Sequence, residues 1–178
     1  MDQITLICRA AKCEPEQLVK LEALSACGNC GITDAGLELV PGLKTLDASC
    51  NPGITDAGLA HLPKLTALYA TGNCGITDAG LALVPRLELL DACDNPSITD
   101  AGLLHVRELT SLYAYGNSAI TDQGLRSLPQ LRTLDASGES GITDAGLRLL
   151  SRLTSLYAAG NRSISGALLR SISGRAVA

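Results

Sequence analysis

Aromatic side chains are nearly absent from this sequence, which has no phenylalanine, no tryptophan and four tyrosines. Any core must therefore be aliphatic, and the tyrosines are not needed as filler. No apolar run is long enough to span a bilayer, and Met1 to Ala10, carrying Asp2 and Arg9, does not read as an export signal. No membrane role is expected. Basic charge is also scarce: 14 Lys and Arg stand against 18 Asp and Glu, a net charge of −4. A general nucleic-acid binder needs a basic stripe, so no nucleic-acid partner is expected. After Asp144 there are five arginines (Arg148, Arg152, Arg162, Arg170, Arg175) and no acid. That basic end reads as a solvated cap in preference to a phosphate or RNA contact. Seven cysteines, an odd number without an export signal, point to free thiols in a reducing, cytoplasmic compartment.

What the sequence has in abundance is one phrase. LxxLxAxxNxxITDAGLxxLPx recurs seven times without a gap from Leu21 to Gly174, beginning at Leu21, Leu43, Leu65, Leu87, Leu109, Leu131 and Leu153. A strict 22-residue period makes each copy a unit that buries its apolar face only against its neighbours. One domain over residues 1–178 is expected: an N-terminal cap at 1–20, the repeats at 21–174 with the last as C-terminal cap, and a tail at 175–178. In the cap, Ile4, Leu6 and Cys8 alternate like a strand, and Glu14-Pro15-Glu16 opens a short helix ending near Leu18.

Within each copy, numbered 1 to 22, Leu at 4 and Ala at 6 alternate with polar residues, the period-two pattern of a half-buried strand. Position 9 is asparagine in six copies and Glu139 in the sixth. An amide ladder bridging neighbours is expected there, with a distortion at Glu139. Position 12 is always isoleucine, followed in most copies by Thr-Asp-Ala-Gly-Leu. Threonine caps a helix and aspartate suits its first turn, while Pro41, Pro63, Pro85 and Pro129 are expected to end it.

This pattern, as in Leu65-Thr66-Ala67-Leu68-Tyr69-Ala70-Thr71-Gly72-Asn73 with the downstream Ile and Leu, resembles the leucine-rich repeat family. The repeat length is similar to the family's short class, and ITDAGL is similar to the cysteine-containing class found in F-box proteins. Alanine at position 6, where the family usually has leucine, is a departure that thins the strand side of the core. No segment resembles an F-box, so ubiquitin-ligase function is not implied. The resemblance implies an α/β solenoid, a curved right-handed horseshoe with a parallel β-sheet on its concave face and short helices on its convex face.

A second period lies inside the first. Position 5, facing outward from the sheet, reads Ser25, Asp47, Tyr69, Asp91, Tyr113, Asp135 and Tyr157, a true unit of 44 residues. Duplication of a two-repeat unit and selection for a binding row are both open as its origin, and its physical consequence is the same under either. Strands lie about 4.8 Å apart, so alternate carboxylates stand roughly 9.6 Å apart with a phenol between them. Such slots suit Lys or Arg side chains. Their spacing matches about three residues of extended chain at ~3.3 Å each, or one ~9.3 Å turn of polyproline II. The expected partner is a protein or extended peptide, possibly basic, bound on the concave face. Tyr113 and Tyr115 form the expected centre of that face, surrounded by Thr71, Leu89, Asp91, Cys93, Ser111, Asp135 and Ser137.

Enzymatic chemistry is not expected. Cys27 and Cys30 form a CxxC, but Cys74 lies two strands away, too far to share a zinc ion. His61 and His105 fall on the helical side, away from the aspartate ladder, so no Ser/His/Asp or Cys/His set converges. No cofactor is expected. The expected state is a monomer with weak homodimerisation possible. The competing readings are a structural or self-associating solenoid, using an end strand or the tyrosine face, and a thiol-dependent metal or redox protein.

Overall fold

The structure, a computed structural model, describes residues 2–173. The expected tail at 175–178 and the polar side chains of Ser171 and Ser173 in the C-terminal cap lie outside that description. The chain opens with helix α1 (Gln3–Ala11) and a 3-10 helix (Pro15–Lys20). Then strand and one-turn helix alternate: β1 (Ala23–Ser25), α2 (Asp34–Leu37), β2 (Thr45–Asp47), α3 (Asp56–Leu59), β3 (Ala67–Tyr69), α4 (Asp78–Leu81) and β4 (Leu89–Asp91). The series continues with α5 (Asp100–Leu103), β5 (Ser111–Tyr113), α6 (Asp122–Leu125), β6 (Thr133–Asp135), α7 (Asp144–Leu147) and β7 (Ser155–Tyr157), and closes on a longer helix, α8 (Gly166–Ser173). The seven strands form one open parallel sheet in sequence order.

Every strand pair keeps the 22-residue register, so equivalent side chains stack in rows. Positions 4, 6, 12, 17 and 20 face the interior, as in Leu68, Ala70, Ile76, Leu81 and Val84. A solenoid buries these rows only by stacking, which is why the strict period predicts it. The one-turn helices end at position 17, four residues before the proline expected to end them. The chain there tightens into i to i−3 bonds, such as His105 N–H to Gly102 O at 3.1 Å and Val106 N–H to Leu103 O at 3.3 Å. The fourth copy makes this turn with Arg107 in the proline's place, so proline is not what stops the helix.

The turn after each strand comes in two forms, and the expected unbroken asparagine ladder is corrected. Asn51, Asn95, Asn117 and Asn161 are buried. Asn29 and Asn73 face solvent, and the next side chains, Cys30, Cys74 and Ser140, turn inward instead. Both forms satisfy the same carbonyl at position 6. In the asparagine form the backbone N–H of position 9 donates to it, as Asn95 does to Ala92 O at 3.3 Å. In the other form a thiol or hydroxyl donates, as Cys74 does to Ala70 O (3.3 Å) and Ser140 to Ala136 O (3.0 Å). Glu139 therefore marks no isolated distortion; its turn is that of the first and third copies. Nor does each amide accept from a neighbouring repeat. Asn117 Nδ2 donates back to Ala92 O, Asn95 O and Ile98 O, while its Oδ1 accepts from Ala119 N–H in its own turn.

On the helical side, threonine caps α3 to α7 with its side chain as expected, though Thr33 makes no such bond at α2, and the aspartate does more than face the helix dipole. Asp78 Oδ1 accepts from Thr99 N–H at 2.7 Å and its Oδ2 from Thr99 Oγ1 at 2.6 Å. The same two bonds run from Asp34, Asp56, Asp100 and Asp122 to the threonine of the next copy. ITDAGL is thus an inter-repeat clasp. At its N-terminal end Gln3 Oε1 stands in for the missing carboxylate and accepts from Thr33 N–H at 3.1 Å.

That contact depends on α1 being a helix, which corrects the strand expected from Ile4, Leu6 and Cys8. Asp2 caps it by accepting from Thr5 N–H at 2.8 Å, and the helical turn brings Gln3 and Ile7 to the same face, Ile7 fully buried. At the other end Leu168 and Leu169 of α8 pack against the core.

Candidate functional site

The position-5 row stacks as the register requires: Ser25 beside Asp47, Asp47 beside Tyr69, Tyr69 beside Asp91, Asp91 beside Tyr113, Tyr113 beside Asp135, and Asp135 beside Tyr157. Leu89 and Ser111 pair across β4 and β5 two residues before it. Thr71, Cys93, Tyr115 and Ser137 follow it at position 7. Strand geometry puts all of these on the sheet face opposite Leu68, Leu90 and Leu112, which fill the core.

Each aspartate has one oxygen committed to its own chain. Oδ1 of Asp47, Asp91 and Asp135 accepts from the N–H two residues on, at Ser49 (3.0 Å), Cys93 (3.0 Å) and Ser137 (2.8 Å). Asp47 Oδ2 also takes Ser25 Oγ at 3.3 Å. Among the described residues no cation pairs with Asp91 or Asp135, and the ion pairs there, Lys44–Glu22 and His61–Glu38, lie elsewhere. Two carboxylate oxygens thus flank Tyr113 without a cation. Burial, the neighbouring phenols and these two carboxylates push the Tyr113 hydroxyl above its ordinary pKa. Burial and hydrogen bonding to Asp91 push the Cys93 thiol up to about 12, so it is a protonated donor at neutral pH.

Tyr115 and Tyr157 are exposed, at 48% and 55%. Tyr115 lies across the next turn, where a Cβ on Gly138 would come within 3.2 Å of its Cε2. Gly138 has φ +68°, so glycine both permits the turn and clears the ring. Ser137 is buried, and its hydroxyl accepts from Ala159 N–H at 3.1 Å. The aspartate turns, the Ser25 contact and the Gly138 platform have no signature in the repeat pattern, because position 5 side chains look equivalent until the turn direction is known.

Cys30 and Cys74 bond carbonyls under their turns, and all seven thiols are free of disulfides. Among the described residues no three His, Cys, Asp or Glu side chains gather as a metal site, and no helix is long and apolar enough to cross a membrane.

No protein-family model and no curated protein matches the sequence. Solved structures do match. An internalin, InlF, from Listeria monocytogenes is 27% identical with a TM-score of 0.63, over 88% of this chain and 46% of that one. The chain thus spans less than half of that protein's length. A complex of TLR13 with ssRNA13 matches at 16% identity and TM-score 0.53, over 85% of this chain and 31% of that one. The Toll–Spatzle complex of Drosophila matches at 13% and 0.57, over 74% and 18%. These neighbours are built from leucine-rich repeats, and the ordered parallel sheet with a one-turn helix per copy is the same architecture. The chain is a leucine-rich-repeat solenoid.

Proposed function

We propose that this chain is a non-enzymatic recognition module that binds a protein or extended peptide bearing Lys or Arg along its concave sheet face. The observation that carries this reading is the pair of carboxylates on Asp91 and Asp135 that flank Tyr113 with no cation on either. An incoming guanidinium completes each carboxylate and lies against an aromatic ring, a contact worth about 1.5–3 kcal/mol for the charged hydrogen bond before any cation–π gain. Tyr115 and Tyr157 supply exposed aromatic area of the kind that dominates binding hot spots. Solved relatives of this fold are complexed with a protein, Spatzle, in one case and with single-stranded RNA in another. For this chain the acidic row favours a cationic ligand over a polyanion. Free thiols fit a reducing, cytoplasmic setting.

The test is fluorescence anisotropy with extended peptides carrying arginine at every third or every second position. Tight binding of the first, weakened about tenfold or more by Asp91→Asn/Asp135→Asn and by Tyr113→Ser/Tyr115→Ser, is the expected result. Equal binding of both peptides, or indifference to these substitutions, would count against the reading. Concentration-dependent mass in the absence of peptide, lost in the tyrosine variant, would favour self-association instead.

A further inference from the structure

In a chain of near-identical copies, positions where one copy departs are informative. Position 15 is alanine in six copies and Gln123 in the fifth. Position 21 is proline in four copies and serine in two, but Arg107 in the fourth. Position 18 is alanine in the second and third copies and arginine in the fifth, sixth and seventh, as Arg126, Arg148 and Arg170. The two single-copy departures, Arg107 and Gln123, meet Arg126 in one open cleft of about 320 Å3 on the convex side, between the segments that follow α5 and α6, with Leu104, Ser127 and Pro129 completing its lining.

No acid lines this cleft. Arg107 Nε donates to Leu104 O at 3.2 Å, which ties the guanidinium to the wall. Arg126 stands one helical turn after Asp122, its natural partner. Both oxygens of Asp122, however, are held by Thr143 of the next copy, from N–H at 2.8 Å and Oγ1 at 2.7 Å. Among the described residues neither arginine forms an ion pair.

We propose that this cleft binds a phosphate monoester. Two guanidinium groups match a dianion in charge and present forked donors to its oxygens, and the Gln123 amide adds a neutral donor. Half-exposed Leu104 and Pro129 provide an apolar wall for the carbon body of the ester. The ester is carried either by a phosphorylated side chain of a partner or by a small molecule, and both present the same head group. The site is separate from the sheet face, so the two can succeed or fail independently.

Each test substitution restores a residue that other copies carry at that position, so the fold is retained: Arg107→Pro, Gln123→Ala and Arg126→Ala. The full chain is titrated calorimetrically with phenyl phosphate, benzoate, and a peptide with and without phosphoserine. Saturable binding of phenyl phosphate is expected, stronger than benzoate and roughly tenfold weaker for each arginine removed. Arg107→Pro/Arg126→Ala keeps its affinity for the basic peptide that tests the sheet face. Phosphopeptide binding tighter than phenyl phosphate assigns the ester to a protein partner; the reverse assigns it to a small molecule. No saturable binding, equal binding of benzoate or of the unphosphorylated peptide, or unchanged binding in the double variant overturns the proposal.

Discussion

At Gly102, position 16 of the fourth copy, there is no room for a methyl group. A Cβ on Gly102 would overlap Asp78 Oδ1, lie 2.9 Å from Leu81 Cδ1 and come within 3.1 Å of Asp78 Cα. The carboxylate it would displace is the one clasping Thr99. Gly102→Ala is therefore expected to cost about 2–3 kcal/mol through overpacking and lost hydrogen bonds, although alanine is the better helix former. A fall in the urea midpoint at unchanged slope would show it; an unchanged midpoint would mean the carboxylate moves aside freely. Cys93 illustrates a second residue-scale effect. Its thiol pKa, pushed up to about 12 by burial and Asp91, keeps it protonated near pH 8, whereas Cys27 and Cys50 are exposed. Disulfide reagents mapped by mass spectrometry are expected to label those two first. Equally fast labelling of Cys93 would contradict the assignment. None of this is legible from residue type alone, since seven cysteines at assorted positions look alike until burial separates them.

At the scale of elements, the strand–turn–helix order was readable because each element announces itself within one copy. Alternating Leu and Ala mark the strand, and Thr-Asp marks the helix start. The inward partner of each turn was not readable. Asn73 and Cys74 can each donate to a buried carbonyl, and the turn's backbone path decides which one does. Because Ser140 fills the thiol role in the sixth copy, Cys74→Ser is expected to change stability by less than about 1 kcal/mol. Asn117→Ala removes the donor from three carbonyls and the acceptor from Ala119 N–H, and is expected to cost about 3 kcal/mol or more. Thermal unfolding of the two variants decides, and comparable losses would deny the equivalence of the two turn forms. The first helix is hidden in the sequence for a related reason. Ile4, Leu6 and Cys8 imitate a strand, whereas the residues that matter, Gln3 and Ile7, are spaced for a helix.

At the scale of the whole molecule, the clasps make stability a sum over neighbouring copies, so the ends open first. Asp144 holds the last copy by accepting from Ser165, whose hydroxyl and N–H lower its pKa below the ordinary 3.8. A folded pKa lowered in this way contributes stability that is present above 3.8 and lost as pH falls through the lower folded value. Amide exchange in β7 and α8, corrected for its intrinsic rate, is expected to accelerate below about pH 3.8. Protection there unchanged between about pH 5 and pH 3 would contradict it. The sequence alone determined the period, the stacking and the identity of the core rows, because a repeat that cannot bury its own apolar face leaves one solution. It also determined the row of aspartate and tyrosine, since parallel register carries position 5 of each copy onto position 5 of the next. Only the tertiary structure decided which carboxylates remain without a cation, which turn residue is inward, and that Arg107, Gln123 and Arg126 share a cleft. Those depend on contacts between copies, where a side chain's direction is set by its neighbour's backbone and not by its own place in the repeat.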